Sequence, residues 1–189
     1  MNKIKTVSLL GKGDGWDDVE NAPDGHIYGV NDAFLRTPEV THTFHMHDLE
    51  KFFAAEGTAS STKLCILKAN ERKEMPFFTI GNYPPIPHAQ PYPLEEVIDF
   101  FKLPFVYFSS GPEYMIAYAL YQGAQELNYY GLNMTIRQEF KEQKPGMDFW
   151  TGIAIGMGVK VNLQWDVTSL LKTRNGELYG YNIKQWRNA

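Results

Sequence analysis

The sequence predicts an α/β protein: a three-layer, Rossmann-like domain in which helices cover both faces of a mostly parallel sheet. Three observations support this class. Residues 103–134 read as strand, turn, helix and strand, which is one βαβ unit. A glycine-rich loop follows the first apolar run of the chain, and further short apolar runs recur between polar or helical segments. Parallel strands require such crossover connections, so the alternation favours a parallel sheet.

Within the central unit, the apolar residues 105–108 predict a strand and residues 127–130 predict the next one. Pro112 suits the first position of the intervening helix, where its missing N–H costs nothing, and Gly123 is a suitable helix end. The other predicted strands are residues 5–10, 26–30, 40–46, 63–67, 77–80 and 159–163, and the other predicted helices are residues 49–55, 94–102, 148–157 and 167–172.

The remaining segments predict loops and a C-terminal extension. Five prolines between residues 82 and 93 exclude a helix or a central strand, so this stretch is interpreted as a packed crossing loop. The Asn-Gly step at residues 175–176 predicts a β-hairpin, which forms an extension of about residues 164–189. At 189 residues the whole chain is expected to be a single domain.

Composition excludes several classes of partner. The net charge of −4 gives no overall basic character, so nucleic acid is not expected as a partner. Cys65 is the only cysteine, which excludes an intrachain disulfide and a multi-cysteine zinc cluster. No apolar segment reaches membrane-spanning length and the amino terminus lacks a signal-peptide core, so we expect a cytoplasmic protein with no membrane span. Aromatic residues make up 14% of the chain, which leaves a homo-oligomer open.

Polar residues at the carboxyl edge of the predicted sheet are candidate ligand contacts. Ser109, Ser110 and Gly111 precede the central helix, whose free amides attract anions, and Asn133 follows the next strand. These residues predict a cradle for a phosphate or a carboxylate. An ordinary serine helix cap is the alternative interpretation.

A second candidate lies after the first strand. Gly11, Lys12 and Gly13 form a glycine-rich loop of the kind that lets backbone approach a phosphate, although it matches neither the Walker pattern nor the full dinucleotide fingerprint. A tight turn with a solvated Lys12 is the alternative. Asn31 follows the second predicted strand and therefore belongs to the same edge of the sheet.

The chain also contains candidate catalytic and charged groups. His45 and His47 share one face of the third predicted strand, and Asp48 follows them. A metal site needs further ligands that the pattern does not supply, so these three residues are predicted to contact a ligand or one another, not a metal. Arg137 and Lys144 lie in a polar segment that either closes over a ligand or is simply solvated.

Three segments in this order, LLGKGDGWDDV, YGVNDAF and YFSSGPEYMIAYALYQGAQELNYYGLNM, resemble bacterial lipooligosaccharide sialyltransferases and the related hydroxymethylpterin pyrophosphokinase-like family. The chain also resembles a group of uncharacterised phage-encoded proteins, which implies the host-cell cytoplasm as its location if a phage encodes it. The resemblance implies a bound nucleotide, with Gly11 and Gly13 beside it and Asn31 near its base, sugar or donor group. It also implies that residues 109–111 hold the phosphate or the donor's carboxylate.

The chain departs from the sialyltransferase pattern in two places. The family has a histidine base before its last strand, where residues 148–151 here contain none, and residues 135–143 lack a clear equivalent of its paired tyrosines. Arg137 or Lys144 would then supply the positive charge for the leaving phosphate.

Three functions follow as hypotheses, of which the third is an interaction or structural module that keeps the fold but lacks the pocket. The first is a nucleotide- or nucleotide-sugar-dependent transferase that is sialyltransferase-like, needs no metal, and has His45 or His47, or less favourably Asp48, as its base. The alternative is a non-catalytic phage protein that binds and sequesters a nucleotide.

Overall fold

A computed structural model describes residues 4–47, 59–173, 176–180 and 183–185, and its core is one seven-stranded sheet. The strands are β1 (Thr6–Leu10), β2 (His26–Val30), β3 (His42–His45), β4 (Phe77–Thr79), β5 (Ala89–Pro91), β6 (Glu126–Tyr130) and β7 (Lys160–Asn162). Their order is β5-β4-β3-β2-β1-β6-β7, and every neighbouring pair is parallel. The predicted α/β class with a parallel sheet is confirmed.

Helices cover both faces of the sheet. The α-helices are α1 (Ala59–Glu71), α2 (Leu94–Phe101), α3 (Gly111–Tyr121) and α4 (Lys144–Gly156); two 3-10 helices span Trp16–Asn21 and Ala33–Leu35, and a π-helical turn, Glu139–Gln143, leads into α4. One buried cluster joins α3 and α4 to the sheet through residues such as Met115 and Trp150. A second cluster contains Cys65 of α1 with Phe77 of β4.

The central strand β1 explains the three layers. Val7 and Leu9 belong to the cluster under α3 and α4, whereas Leu10 belongs to the opposite cluster, as the two-residue period of a strand requires. The chain leaves β1 toward β2 on one side and later returns to β6 on the other. The strand order therefore reverses between β1 and β6, and ligands of open parallel sheets bind beside such a reversal.

Two predicted strands are wrong. Residues 63–67 lie within α1, where Cys65 is buried while Leu64 and Leu67 are 46% and 56% exposed. A short apolar run does not distinguish a strand from one face of a helix. Residues 105–108 lie outside the sheet, and Phe105 is 62% exposed. The indole of Trp150 donates a hydrogen bond to the Tyr107 carbonyl at 2.6 Å and holds this extended segment against α4.

The crossing loop and the C-terminal segment differ in detail from expectation. The proline-rich stretch contributes the short edge strand β5, where Pro91 needs no further strand partner. Residues 167–172 form turns in place of the predicted helix. Among the described C-terminal residues, Glu177 and Lys184 form an antiparallel bridge. Asn175 and the predicted helix at residues 49–55 lie outside the described residues.

No helix in the described part of the chain is both long and apolar enough to cross a membrane.

Burial of His45 makes the stability of the fold dependent on pH. The side chain is fully buried in β3, its ring stacks on Phe77 at a centroid distance of 6.4 Å, and burial, with a smaller contribution from His47, lowers its pKa to about 4. In the unfolded chain the imidazole titrates near 6.5. The unfolded state therefore binds more protons between these values, and stability that is present above pH 6.5 is lost as the pH falls toward 4.

We expect His45→Phe to remove this dependence, because phenylalanine fills the same aromatic position without titrating. Between pH 7.5 and 4.5 the free energy of unfolding of the wild type should fall by about 2 kcal/mol more than that of the variant. Urea unfolding at both pH values measures the difference. Equal pH dependence in the two proteins would contradict a neutral buried His45.

Candidate functional site

A cleft of about 460 Å³ lies at the carboxyl edge of the sheet, where β1 and β6 diverge. Four segments form its walls: the loop after β1, the end of β2, the start of α3 and the loop after β6. The lining residues are Gly11, Lys12, Gly13, Asp14, Val30, Asn31, His47, Ser109, Ser110, Gly111, Pro112, Gly131, Leu132, Asn133, Met134, Thr135, Ile136, Glu139 and Gln143. The cleft thus occupies the position at which the strand order reverses.

The glycine-rich loop and the loop after β6 touch through their backbones. The Gly11 amide donates to the Tyr130 carbonyl at 2.8 Å, and the Gly13 amide donates to the Gly131 carbonyl at 2.9 Å. A Cβ atom on Gly11 would lie 2.3 Å from the Gly131 carbonyl oxygen. Glycine is therefore required at position 11 to let these two loops meet and form the floor of the cleft.

Side-chain amides fix the same two loops. Gln164 accepts a hydrogen bond from the Gly131 amide at 3.0 Å and donates one to the Gly15 carbonyl at 2.9 Å. Asn133, a predicted ligand contact, lines the cleft but donates its side-chain N–H to the Asp14 carbonyl at 2.9 Å. Sequence analysis missed Gln164, because a polar residue just beyond the last strand carries no motif.

Lys12 carries the positive charge at the cleft. Its ammonium lies 2.9 Å from Asp32 Oδ1, and the two side chains are 40% and 42% exposed. Arg36 supports the loop by donating to the Lys12 carbonyl at 3.1 Å, and its guanidinium lies 4.8 Å from the centre of the Trp16 ring. Exposed ion pairs contribute little to stability, so Lys12 can exchange Asp32 for an anionic ligand at low cost.

Asn31 is held in an unusual conformation at the end of β2. Its φ angle is 55°, in the left-handed region that asparagine tolerates better than most residues, and its amide donates to the Phe44 carbonyl at 2.9 Å. Its side-chain oxygen is shielded from solvent and has no hydrogen-bond partner among the described residues. Such an unsatisfied polar atom beside a cleft is typical of a functional site.

The start of α3 contains a buried carboxylate that sequence analysis missed. Glu113 is 0% exposed, and it accepts hydrogen bonds from the Ser109 amide, from Ser109 Oγ at 2.7 Å and from Ser110 Oγ at 2.8 Å. Burial raises the pKa of Glu113, and hydrogen bonds from the hydroxyls and amides of both serines oppose that rise. The groups that were predicted to hold an external anion are thus engaged by a carboxylate of the chain itself.

The sequence did contain a signal for this arrangement. Ser110 is the N-cap of α3 and Glu113 stands three residues later, which is the Ser-x-x-Glu spacing of a capping box. In such a box the glutamate turns back toward the N-cap amide, so its carboxylate lies at the helix start.

Two of the predicted catalytic residues, His45 and His47, differ in their surroundings. His47 lines the cleft, whereas His45 points into the core, and their ring centroids are 5.7 Å apart. Asp48 lies outside the described residues. The two-residue alternation of a strand predicted that His45 and His47 face the same side. The strand β3 ends at His45, so the alternation does not extend to His47.

Arg137 and Lys144 are not among the residues that line the cleft. Arg137 is exposed to solvent. Lys144 forms an ion pair with Asp148, one helical turn further along α4, and Asp148 also accepts a hydrogen bond from the Leu171 amide at 2.8 Å. The predicted use of Lys144 as a ligand charge clamp therefore does not match this arrangement, in which Lys144 and Asp148 help to anchor the chain after β7.

Within residues 4–47, 59–173, 176–180 and 183–185, no group of three or more His, Cys, Asp or Glu side chains is placed to hold a metal ion.

Solved structures of the sialyltransferase CstII from Campylobacter jejuni share the fold. A complex with a substrate analogue, cytidine-5'-monophosphate, is 13% identical, with 90% of this chain and 86% of that chain covered and a TM-score of 0.54. A complex with a trisaccharide acceptor and CMP is also 13% identical, with 96% and 93% covered and a TM-score of 0.53. No protein-family model and no curated protein sequence matches the chain. At this level of identity, the likeness establishes the fold.

Two glycines of α4 provide a matched test of the packing around Glu113. A Cβ atom on Gly146 would lie 2.4 Å from Glu113 Oε1 and 2.6 Å from Ser109 Oγ, whereas nothing lies within 4 Å of a Cβ on Gly152. We expect Gly146→Ala to lower the free energy of unfolding by about 2 kcal/mol, because the buried groups must shift. Gly152→Ala should raise it by up to about 1 kcal/mol, since alanine is the better helix former.

Urea unfolding of both variants and the wild type measures these changes. Similar values for the two variants would show that α4 does not press on the Glu113 carboxylate.

Proposed function

We propose that the protein binds a nucleotide or nucleotide sugar in this cleft and acts as a glycosyltransferase-like, sialyltransferase-like transferase. The observation that carries the proposal is the convergence of the glycine-rich loop, Asn31 and the start of α3 around one cleft at the strand-order reversal. Support comes from the CstII structures of the same fold, which are described as complexes with CMP or with CMP-3FNeuAc. The cleft volume also falls in the range of roughly 300–1,000 Å³ that is typical of ligand pockets.

The charges of the cleft suggest how such a ligand lies. Among the described residues that line the cleft, Lys12 is the only lysine or arginine. We therefore assign the phosphate to the side of the cleft that is formed by Gly11, Lys12 and Gly13. The phosphate would take the place of Asp32 on the Lys12 ammonium. Asn31, with its unsatisfied oxygen, would contact the sugar or the base.

We propose His47 as the base of a transferase, because it is the only histidine among the described residues that line the cleft. Its imidazole would take a proton from the acceptor hydroxyl as that hydroxyl attacks the anomeric carbon of the donor sugar, while the bond from that carbon to the phosphate oxygen breaks and the nucleotide leaves with the electron pair. Arg137 and Lys144 are not needed in this scheme.

One observation favours the alternative of a nucleotide-binding protein without catalysis. Residues 148–151 contain no histidine, and Asp148 is engaged by Lys144 and by the Leu171 amide, so this part of α4 presents no base to the cleft. Incubation with nucleotides and nucleotide sugars, followed by mass spectrometry, separates the two functions. Consumption that His47→Gln abolishes supports a transferase, and unchanged bound ligand supports a binding protein.

The proposal includes a cytoplasmic location in a bacterium or in a phage-infected cell, where nucleotides are available. It includes no nucleic-acid partner. A homo-oligomer is compatible with it.

We expect CMP to bind the wild type and Lys12→Ala to weaken that binding about tenfold, because the variant lacks the ammonium beside the phosphate. The matched control is Lys68→Ala, which removes a lysine of another exposed ion pair, with Glu71 on α1. Isothermal titration calorimetry at low ionic strength compares the three proteins.

Equal losses in the two variants would show that general charge, and not the cleft, governs binding. If neither CMP nor any other nucleoside monophosphate binds the wild type by calorimetry or native mass spectrometry, the proposed function is wrong.

A further inference from the structure

The serine hydroxyls at the start of α3 present acceptors, not donors, to the cleft. A serine hydroxyl has one proton to donate and two lone pairs. Both protons are directed to Glu113 Oε1, from Ser109 Oγ at 2.7 Å and from Ser110 Oγ at 2.8 Å. The other acceptor near Ser109 Oγ, the Gln143 carbonyl, lies at 3.5 Å and competes weakly. What remains for a ligand is the lone pairs of the two hydroxyls.

The surroundings of Glu113 suit its ionised form. Its carboxylate is approached by the amide and hydroxyl of Ser109 and by the amide and hydroxyl of Ser110, all of which are donors. We call these four groups the serine–amide site. A protonated carboxyl group would need an acceptor for its own O–H, whereas donors stabilise the charge. The buried negative charge therefore stays beside the wall of the cleft.

Asn31 lies behind the same wall. Its side-chain oxygen, which is shielded from solvent, lies 4.0 Å from the position of a Cβ atom on Gly111, the residue that follows Ser110. The wall thus combines the two hydroxyl oxygens with the Asn31 oxygen and the Glu113 carboxylate behind them. An external phosphate or carboxylate placed here would face oxygen lone pairs and a like charge, which is unfavourable.

We propose that Glu113 determines ligand specificity, because it fills the serine–amide site and makes this wall select a neutral, hydroxyl- or amine-bearing part of the ligand. The inference rests on the proposed nucleotide function and narrows its substrate class: the phosphate lies toward Lys12, and the sugar or base that meets Ser109, Ser110 and Asn31 carries no carboxylate. A sugar acid is rejected at this position.

The first experiment examines the serine–amide site without any nucleotide. In Glu113→Ala the four donors lose their partner and leave a space that a small carboxylate fits. We expect 100 mM sodium acetate, compared with 100 mM sodium chloride, to raise the melting temperature of this variant by at least about 2 °C. Wild type and the surface control Glu96→Ala should show no such selective rise. An absence of acetate stabilisation in a folded Glu113→Ala would overturn the proposal.

The second experiment uses a matched pair of nucleotides, CMP and CMP-3FNeuAc, the latter bearing a sugar carboxylate. We expect calorimetry to show that the wild type binds CMP at least tenfold more tightly than CMP-3FNeuAc. Glu113→Gln, which keeps the shape and removes the charge, should reduce this ratio at least threefold, and it serves if Glu113→Ala does not fold. Equal or tighter binding of CMP-3FNeuAc by the wild type would overturn the inference and leave nucleotide binding intact.

Failure of the proposed function gives a different result. The wild type would then bind neither nucleotide, while the acetate experiment would still report whether Glu113 fills the serine–amide site.

Discussion

The direct backbone contact between the loops after β1 and β6 is the constraint on which the cleft depends. Gly11 and Gly13 donate to the carbonyls of Tyr130 and Gly131, so the pairing of the two strands continues past their ends before the chains diverge. Side chains at these positions would keep the loops apart, since the Gly131 oxygen already occupies the space of a Gly11 Cβ. Gln164 then bridges the same loops and connects them to the segment after β7.

From this floor the walls follow from the order of the strands. Asn31 reaches the carboxyl edge because it follows β2, which is a neighbour of the central strand β1. The start of α3 reaches the same edge because α3 packs against the central strands. Asn31 and Gly111 are therefore neighbours across a gap of 80 residues in sequence. Glycines and backbone atoms form the floor of the cleft. Lys12 places a positive charge on one side of it, and acceptor oxygens line the opposite side.

The sequence predicted the sheet well, because buried parallel strands such as residues 5–10 and 127–130 are continuous apolar runs bounded by glycine or polar turns. It failed at residues 63–67, where apolar side chains on one short stretch fit a helix equally well, and at residues 105–108, where aromatics pack on α4 without joining the sheet. The length and aromatic content of these two runs did not distinguish them from true strands, since the contacts that decide their structure come from elements distant in sequence.

The sequence predicted the position of the candidate site better than it predicted the chemistry of the site. Gly11, Asn31 and Ser110 do line one cleft, as the carboxyl-edge rule implied. The direction in which hydroxyl protons point is set by Glu113, and this depends on local geometry that the serines alone do not specify. Lys144 pairs with Asp148 for a similar reason, because that carboxylate lies one turn away on its own helix.

The carboxylate of Glu113 belongs to the same helix start as the donors that bind it, and this has a consequence for cellular conditions. A tethered group is held at an effective concentration that dissolved competitors rarely reach. Fluctuations in the levels of phosphate or organic acids therefore leave these donors occupied. The negative charge at this wall depends on the identity of residue 113 alone, and a single nucleotide substitution in its codon is enough to remove it.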